Sequence, residues 1–136
     1  MFKNLLFSVF LCVSAVGETI PLSENFLVAL RKTETLGRPN LGVNAIGRHG
    51  ELGPYQITKG YWLDAKKFDK SITGPYRNCA QKEYSERVIT AYLNRYSQQA
   101  VMEKNYHWMA EIHNCGPSKR WTSPKYWNRF QGFLTK

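Results

Sequence analysis

The sequence predicts a mainly helical, single-domain fold of about five helices with at most a small β-hairpin. Three observations carry this expectation. The 136 residues suffice for one hydrophobic core but not for two. Apolar residues recur three and four positions apart in successive segments, the period of a helix with one buried face. No segment alternates apolar and polar residues over the length of a strand, and no internal repeat or long linker divides the chain.

The first helix is expected over residues 23–36. Ser23 suits the cap, Glu24 favours the positive helix end, and Gly37 with Arg38-Pro39 stops the helix. Leu27, Leu30 and Glu34 then share one face. Residues 37–53 hold five glycines and one proline and read as a loop, with a small hairpin around His49-Gly50. Gly53-Pro54 opens a second helix that carries Tyr55, Gln56, Ile57, Tyr61 and Trp62, with Pro54 at the first helical position. A third helix is predicted over residues 79–96, with Val88, Ile89, Tyr92, Leu93 and Tyr96 inward. A fourth covers residues 98–114 and stops at Gly116-Pro117. Ser123-Pro124 starts a last short helix bearing Tyr126, Trp127, Phe130 and Phe133.

Residues 1–17 read as a secretory leader. Lys3 precedes an apolar run from Leu5 to Val16, shorter than the roughly 20 residues a membrane span needs. Ala15-Val16-Gly17 supplies small residues for cleavage before Glu18. The mature domain is expected to cover residues 18–136 and to be soluble and secreted. The whole chain has 19 Lys and Arg against 10 Asp and Glu, a formal +9, and loss of Lys3 lowers it by one. Hydrophobic content of 43% with 21% charged residues argues against a disordered chain. The net charge excludes an acidic, solvating chain and points to an anionic partner: nucleic acid, membrane or bacterial wall. The leader also takes Cys12, leaving Cys79 and Cys115. In an oxidising compartment these pair most simply as one disulfide, worth roughly 3–4 kcal/mol. The alternative is two free thiols.

Glu34 is the first candidate for chemistry. It follows Leu27 and Leu30 on an apolar face, so partial loss of water disfavours its ionised form, as a general acid requires. The negative end of the helix acts in the same direction. The plain alternative is a surface glutamate at a helix end. The neighbouring motifs weigh against that alternative. Glu34-Thr35 is followed by Ala45-Ile46-Gly47, then Gly53-Pro54-Tyr55-Gln56-Ile57 and Tyr61-Trp62. Tyr92-Leu93-Asn94-Arg95-Tyr96, Ile112-His113-Asn114-Cys115-Gly116-Pro117 and Tyr126-Trp127 come later.

This order resembles the lysozyme-like superfamily of lytic transglycosylases and, more closely, the invertebrate-type (destabilase-like) lysozymes. Those lysozymes carry Glu-Ser at a helix end, Gly-Pro-Tyr-Gln-Ile leading to Tyr-Trp, a Tyr-x-x-Arg-Tyr helix and a later His-Asn-Gly-Gly-Pro. The resemblance runs from residue 26 to residue 130. It implies a lysozyme-like α+β variant of the helical fold, no cofactor, and cleavage of the β-1,4 bond between N-acetylmuramic acid and N-acetylglucosamine. It makes Glu34 the acid that protonates the glycosidic oxygen, and Thr35 keeps the hydroxyl where the family has serine. Tyr55 and Gln56 fall where family members line the sugar cleft, and His113 and Asn114 shape the opposite wall. Tyr61, Trp62 and Trp127 are expected in the scaffold.

One position departs from that pattern. The family's second carboxylate, an aspartate in the loop after the catalytic glutamate, corresponds to Arg48 within Ile46-Gly47-Arg48-His49-Gly50. Three routes follow. Glu51 supplies the carboxylate from a shifted loop, or Glu34 acts alone with the substrate's N-acetyl group or 6-hydroxyl as nucleophile. In the third, the protein binds sugar without turnover. The single-glutamate enzyme is the expectation, with a cationic wall-binding protein as its competitor.

His107, Glu111 and His113 do not make a metal-ligand pattern, and no metal is expected. Arg31, Lys32, Arg38 and Arg48 flank the expected cleft entrance, while Lys119, Arg120, Lys125 and Arg129 cluster near the end. No nucleic-acid motif accompanies them, so bacterial peptidoglycan is the expected partner of a monomer without stable membrane insertion.

Overall fold

The computed structural model describes residues 18–118 and 123–135, which contain five α-helices. Residues 1–17, expected to be a leader, and Lys119 and Arg120 lie outside the described residues. The expected mainly helical fold is present, with different boundaries at three places.

Helix α1 (Glu24–Thr35) starts where its cap dictates, because Ser23 Oγ accepts the Phe26 amide at 3.3 Å. It buries Phe26, Leu27, Ala29 and Leu30 and ends at Leu36 (φ 21°) and Gly37 (φ 75°), which leaves Glu34 in the last turn. The following loop contains a short 3-10 turn over Pro39–Gly42. Two isolated antiparallel bridges follow, Ile46 with Leu52 and Leu52 with Ile57. The first closes the small hairpin expected around His49-Gly50.

The second bridge corrects the predicted start of the second helix. Leu52 and Ile57 exchange both backbone hydrogen bonds at 2.9 Å, and Gln56 takes a left-handed φ of 49°. Residues 53–57 therefore turn rather than coil, a turn that Pro54 fits because it has no amide hydrogen to lose. Helix α2 (Lys59–Phe68) begins only after Thr58, whose hydroxyl accepts the Tyr61 amide at 3.2 Å.

A 3-10 turn over Tyr76–Ala80 leads to helix α3 (Lys82–Met102). The boundary expected at residue 97 is a kink inside this helix. Ser97 departs to φ −154° while its hydroxyl donates to the Leu93 carbonyl at 3.1 Å, and the chain resumes its coil. The true break falls at residues 103–105, where Lys104 adopts φ 51° and Asn105 accepts the Trp108 amide at 3.1 Å. Helix α4 (Tyr106–Cys115) starts there and stops at Gly116 (φ 83°). Ser123 caps helix α5 (Pro124–Phe133) through the Tyr126 amide at 3.3 Å.

Helix α3 packs against α2 and α4, α1 packs on α5, and α5 meets α4. Phe26 links these layers, its ring 5.4 Å from the centroids of both Tyr106 and Phe130. No helix among the described residues is long and apolar enough to cross a membrane.

Candidate active site

An open cleft of about 390 Å³ lies beside the last turn of α1. Glu34 forms part of its wall, with 16% of its side chain exposed. Tyr126 Oη donates to Glu34 Oε1 at 2.5 Å, at the short end of the range for a hydroxyl on a carboxylate. His113 Nε2 lies 3.4 Å from the same oxygen, a contact that becomes an ion pair when the imidazole is protonated. The other ring nitrogen of His113 is 3.0 Å from Tyr61 Oη, and Tyr61 stacks on Tyr92 with ring centroids 3.5 Å apart. Four helices thus contribute polar side chains that lead to Glu34, and α3 supports them through the stacked ring of Tyr92.

The phenols in this chain remain donors. Burial, reinforced by the Glu34 charge and hydrogen bond, pushes the Tyr126 hydroxyl well above its ordinary range. Burial does the same to Tyr61, and raises Tyr92 to about 12.

Gln56, His113 and Asn114 line the cleft together with Glu34. Two expected binding residues do not reach it. Tyr55 is fully buried and donates to Glu86 Oε1 at 2.6 Å. Neighbouring side chains leave this turn on opposite sides, Tyr55 inward and Gln56, at φ 49°, to the cleft. Thr35 is 2% exposed and returns its hydroxyl to the Arg31 carbonyl at 2.8 Å, so it braces the helix end.

Arg48, Glu51, Thr58, Tyr61 and Tyr92 also line the cleft. Tyr61 is therefore both core and wall, whereas Trp62 and Trp127 belong to the scaffold as expected. Trp62 donates to Tyr84 Oη at 3.0 Å, and Trp127 stacks on His107 at 4.3 Å. Tyr126 is the partner that sequence reasoning left in the last helix without a role. Its distance of 92 positions from Glu34 hides the contact.

Among the described residues the expected disulfide is absent: Cys79 and Cys115 are free. Cys79 is fully buried near Tyr76, its thiol pushed up to about 12 by that burial. Cys115 ends α4 near Tyr126, with Asn114 Nδ2 3.4 Å from its sulfur. The two thiols thus face different surroundings. His107 and Glu111 pair at 3.2 Å, and no group of three or more metal-ligating side chains gathers among the described residues.

Residues 32–132 match the family model for destabilase. The chain belongs to the destabilase family. This destabilase-family chain is 31% identical over 114 residues to lysozyme from Ostrea edulis, covering 81% of this chain and 80% of that protein. It is 31% identical over 98 residues to lysozyme 1 from Crassostrea virginica, covering 66% of this chain and 51% of that one. Its fold is similar to a chain in the crystal structure of Aeromonas hydrophila PliI in complex with Meretrix lusoria lysozyme. That match has a TM-score of 0.62 and 26% identity, and covers 85% of this chain and 93% of the other. The resemblance to invertebrate-type lysozymes is borne out, and the protein is lysozyme-like.

Proposed function

We propose that the protein is a secreted muralytic glycosidase cleaving the β-1,4 bond between N-acetylmuramic acid and N-acetylglucosamine in bacterial peptidoglycan. The observation that carries this reading is the setting of Glu34, one carboxylate oxygen of which is occupied while its group borders an open cleft. Tyr126 and His113 both address Oε1, which leaves Oε2 as the oxygen that carries and delivers the proton. Protonation of the bridging oxygen lets the bond to the anomeric carbon break with its electrons going to the leaving sugar. Gln56 and Asn114 offer amide donors and acceptors to the sugar from the cleft walls.

The net positive charge supports an anionic polymer as partner, and Arg48 on the wall gives that attraction a local form. Secretion is part of the same reading: expressed with its leader, the protein is expected in the medium with Glu18 as its first residue, as N-terminal sequencing would read. The central test is Glu34→Gln, compared with wild type on purified peptidoglycan. Loss of at least about 100-fold in wall clearance with the fold intact is expected. Undiminished clearance by the variant removes Glu34 from the chemistry. A wild type that binds walls without releasing fragments makes the protein a cationic wall binder.

A further inference from the structure

We infer that Glu51 is the second carboxylate of this site, the anion that meets the positive charge developing at the anomeric carbon. The inference rests on the muralytic reading and goes beyond it by assigning a residue to the place where Arg48 interrupts the family pattern. Sequence order alone favours Glu34 acting without a protein partner. The fold changes that balance, because Glu51 borders the same cleft as Glu34 from a different wall, the hairpin rather than α1.

The hairpin holds this carboxylate in place. Gly47 donates its amide to the Glu51 carbonyl at 2.7 Å, and Gly50 donates to the Gly47 carbonyl at 3.1 Å, which closes the turn. The His49 amide then donates to Glu51 Oε2 at 3.0 Å. A Cβ on Gly47 would collide with Glu51 Oε2 and Gln56 Oε1, so both oxygens occupy space that only glycine leaves open. Gln56 is fixed in turn, its Nε2 donating to the Gly53 carbonyl at 2.8 Å. Two acceptor oxygens thus lie over Gly47 beside the cleft, Glu51 Oε2 already accepting the His49 amide, and each has further lone-pair capacity for a sugar hydroxyl or amide.

The electrostatics agree with this role. Backbone amides, its own and that of His49, hold the Glu51 carboxyl below the usual carboxylate range, with smaller help from the charges of His49 and Arg38. A site with one carboxyl that gives a proton and one that stays ionised has the division of labour a glycosidase needs.

The step balances. Glu34 transfers its proton to the bridging oxygen, and the bond from that oxygen to the anomeric carbon breaks with both electrons leaving on the oxygen. The positive charge left on the sugar is held against the Glu51 anion. A water molecule then adds to the anomeric carbon and gives one proton back to Glu34, so one water is consumed and both carboxyl groups return to their starting states.

The test uses the mature full chain on purified peptidoglycan with four proteins: wild type, Glu34→Gln, Glu51→Gln and Glu51→Ala. Glutamine at 51 can still accept the His49 amide, so the hairpin is expected to survive, and the thermal midpoint checks that it does. Glu51→Gln is expected to lower kcat at least about 100-fold with KM within about threefold, and wild-type products are expected to end in reducing sugars. Azide added to Glu51→Ala is expected to restore bond cleavage and to appear as a glycosyl azide, its nitrogen bonded where the oxygen left. Glu51→Gln with wild-type kcat, or wild-type products ending in 1,6-anhydro sugars, overturns the assignment and leaves Glu34 acting alone. Wild type as inactive as Glu34→Gln removes the muralytic reading itself, and the assignment falls with it.

Discussion

Tyr126 and His113 reach one oxygen of Glu34 from α5 and α4, and that shared grip orients the carboxyl group. Tyr126→Phe keeps the buried ring and deletes the hydrogen bond to Glu34 Oε1. If that bond orients the acid, kcat falls roughly 10- to 100-fold while KM stays within about twofold, as steady-state kinetics on peptidoglycan would show. A raised KM with unchanged kcat would instead make Tyr126 a sugar contact. Glu34 itself was legible through the motifs that follow it, since a carboxylate closing an apolar helical stripe reads equally as a surface glutamate. Its phenolic partner was not, since Tyr126 reads as an ordinary inward aromatic until α5 docks on α1. Tyr55 and Gln56 make the same point from neighbouring positions. Both belong to one motif, yet one is a core phenol and the next a cleft amide.

At the level of elements, local signals named the starts of α1 and α5 correctly, because Ser23 and Ser123 act through atoms within three residues of themselves. They failed at α2. Pro54 suits a first helical turn and a tight turn equally, and the choice belongs to the Leu52–Ile57 bridge across it. They also misplaced the junction before α4. Ser97 disturbs the helix locally, whereas continuation to Met102 depends on the burial of Ala100 and Val101. The hairpin carries its own prediction. Gly47→Ala meets the flexible ends of Glu51 and Gln56 and, at 3.1 Å, the Glu51 Cβ, so its stability cost should be about 1–2 kcal/mol by urea unfolding. Activity should nonetheless fall at least about tenfold, since those ends are the parts displaced. Full activity in that variant would separate the hairpin from the chemistry.

At the scale of the whole molecule, Phe26 joins α1 to α4 and α5 with no exposed surface. Phe26→Ala should cost about 3–5 kcal/mol, a large share of the 5–15 kcal/mol by which domains are stable. The urea midpoint should drop with little change in slope, and a loss under about 1 kcal/mol would mean that the core closes around the gap. The absent disulfide gives this core more weight, since Cys79 contributes to stability as a buried apolar side chain rather than a crosslink. By itself the sequence determined the helical class, the family motifs and the place of Glu34, the proposed acid, at the end of α1, because periodicity, caps and short motifs act over a few residues. Only the tertiary structure decided which of those residues share a cleft. It turned Tyr55 and Thr35 away, kept the two thiols apart, and brought Tyr126 and Glu51 to the site. Those outcomes depend on how helices and a hairpin far apart in the chain bury their apolar faces against one another.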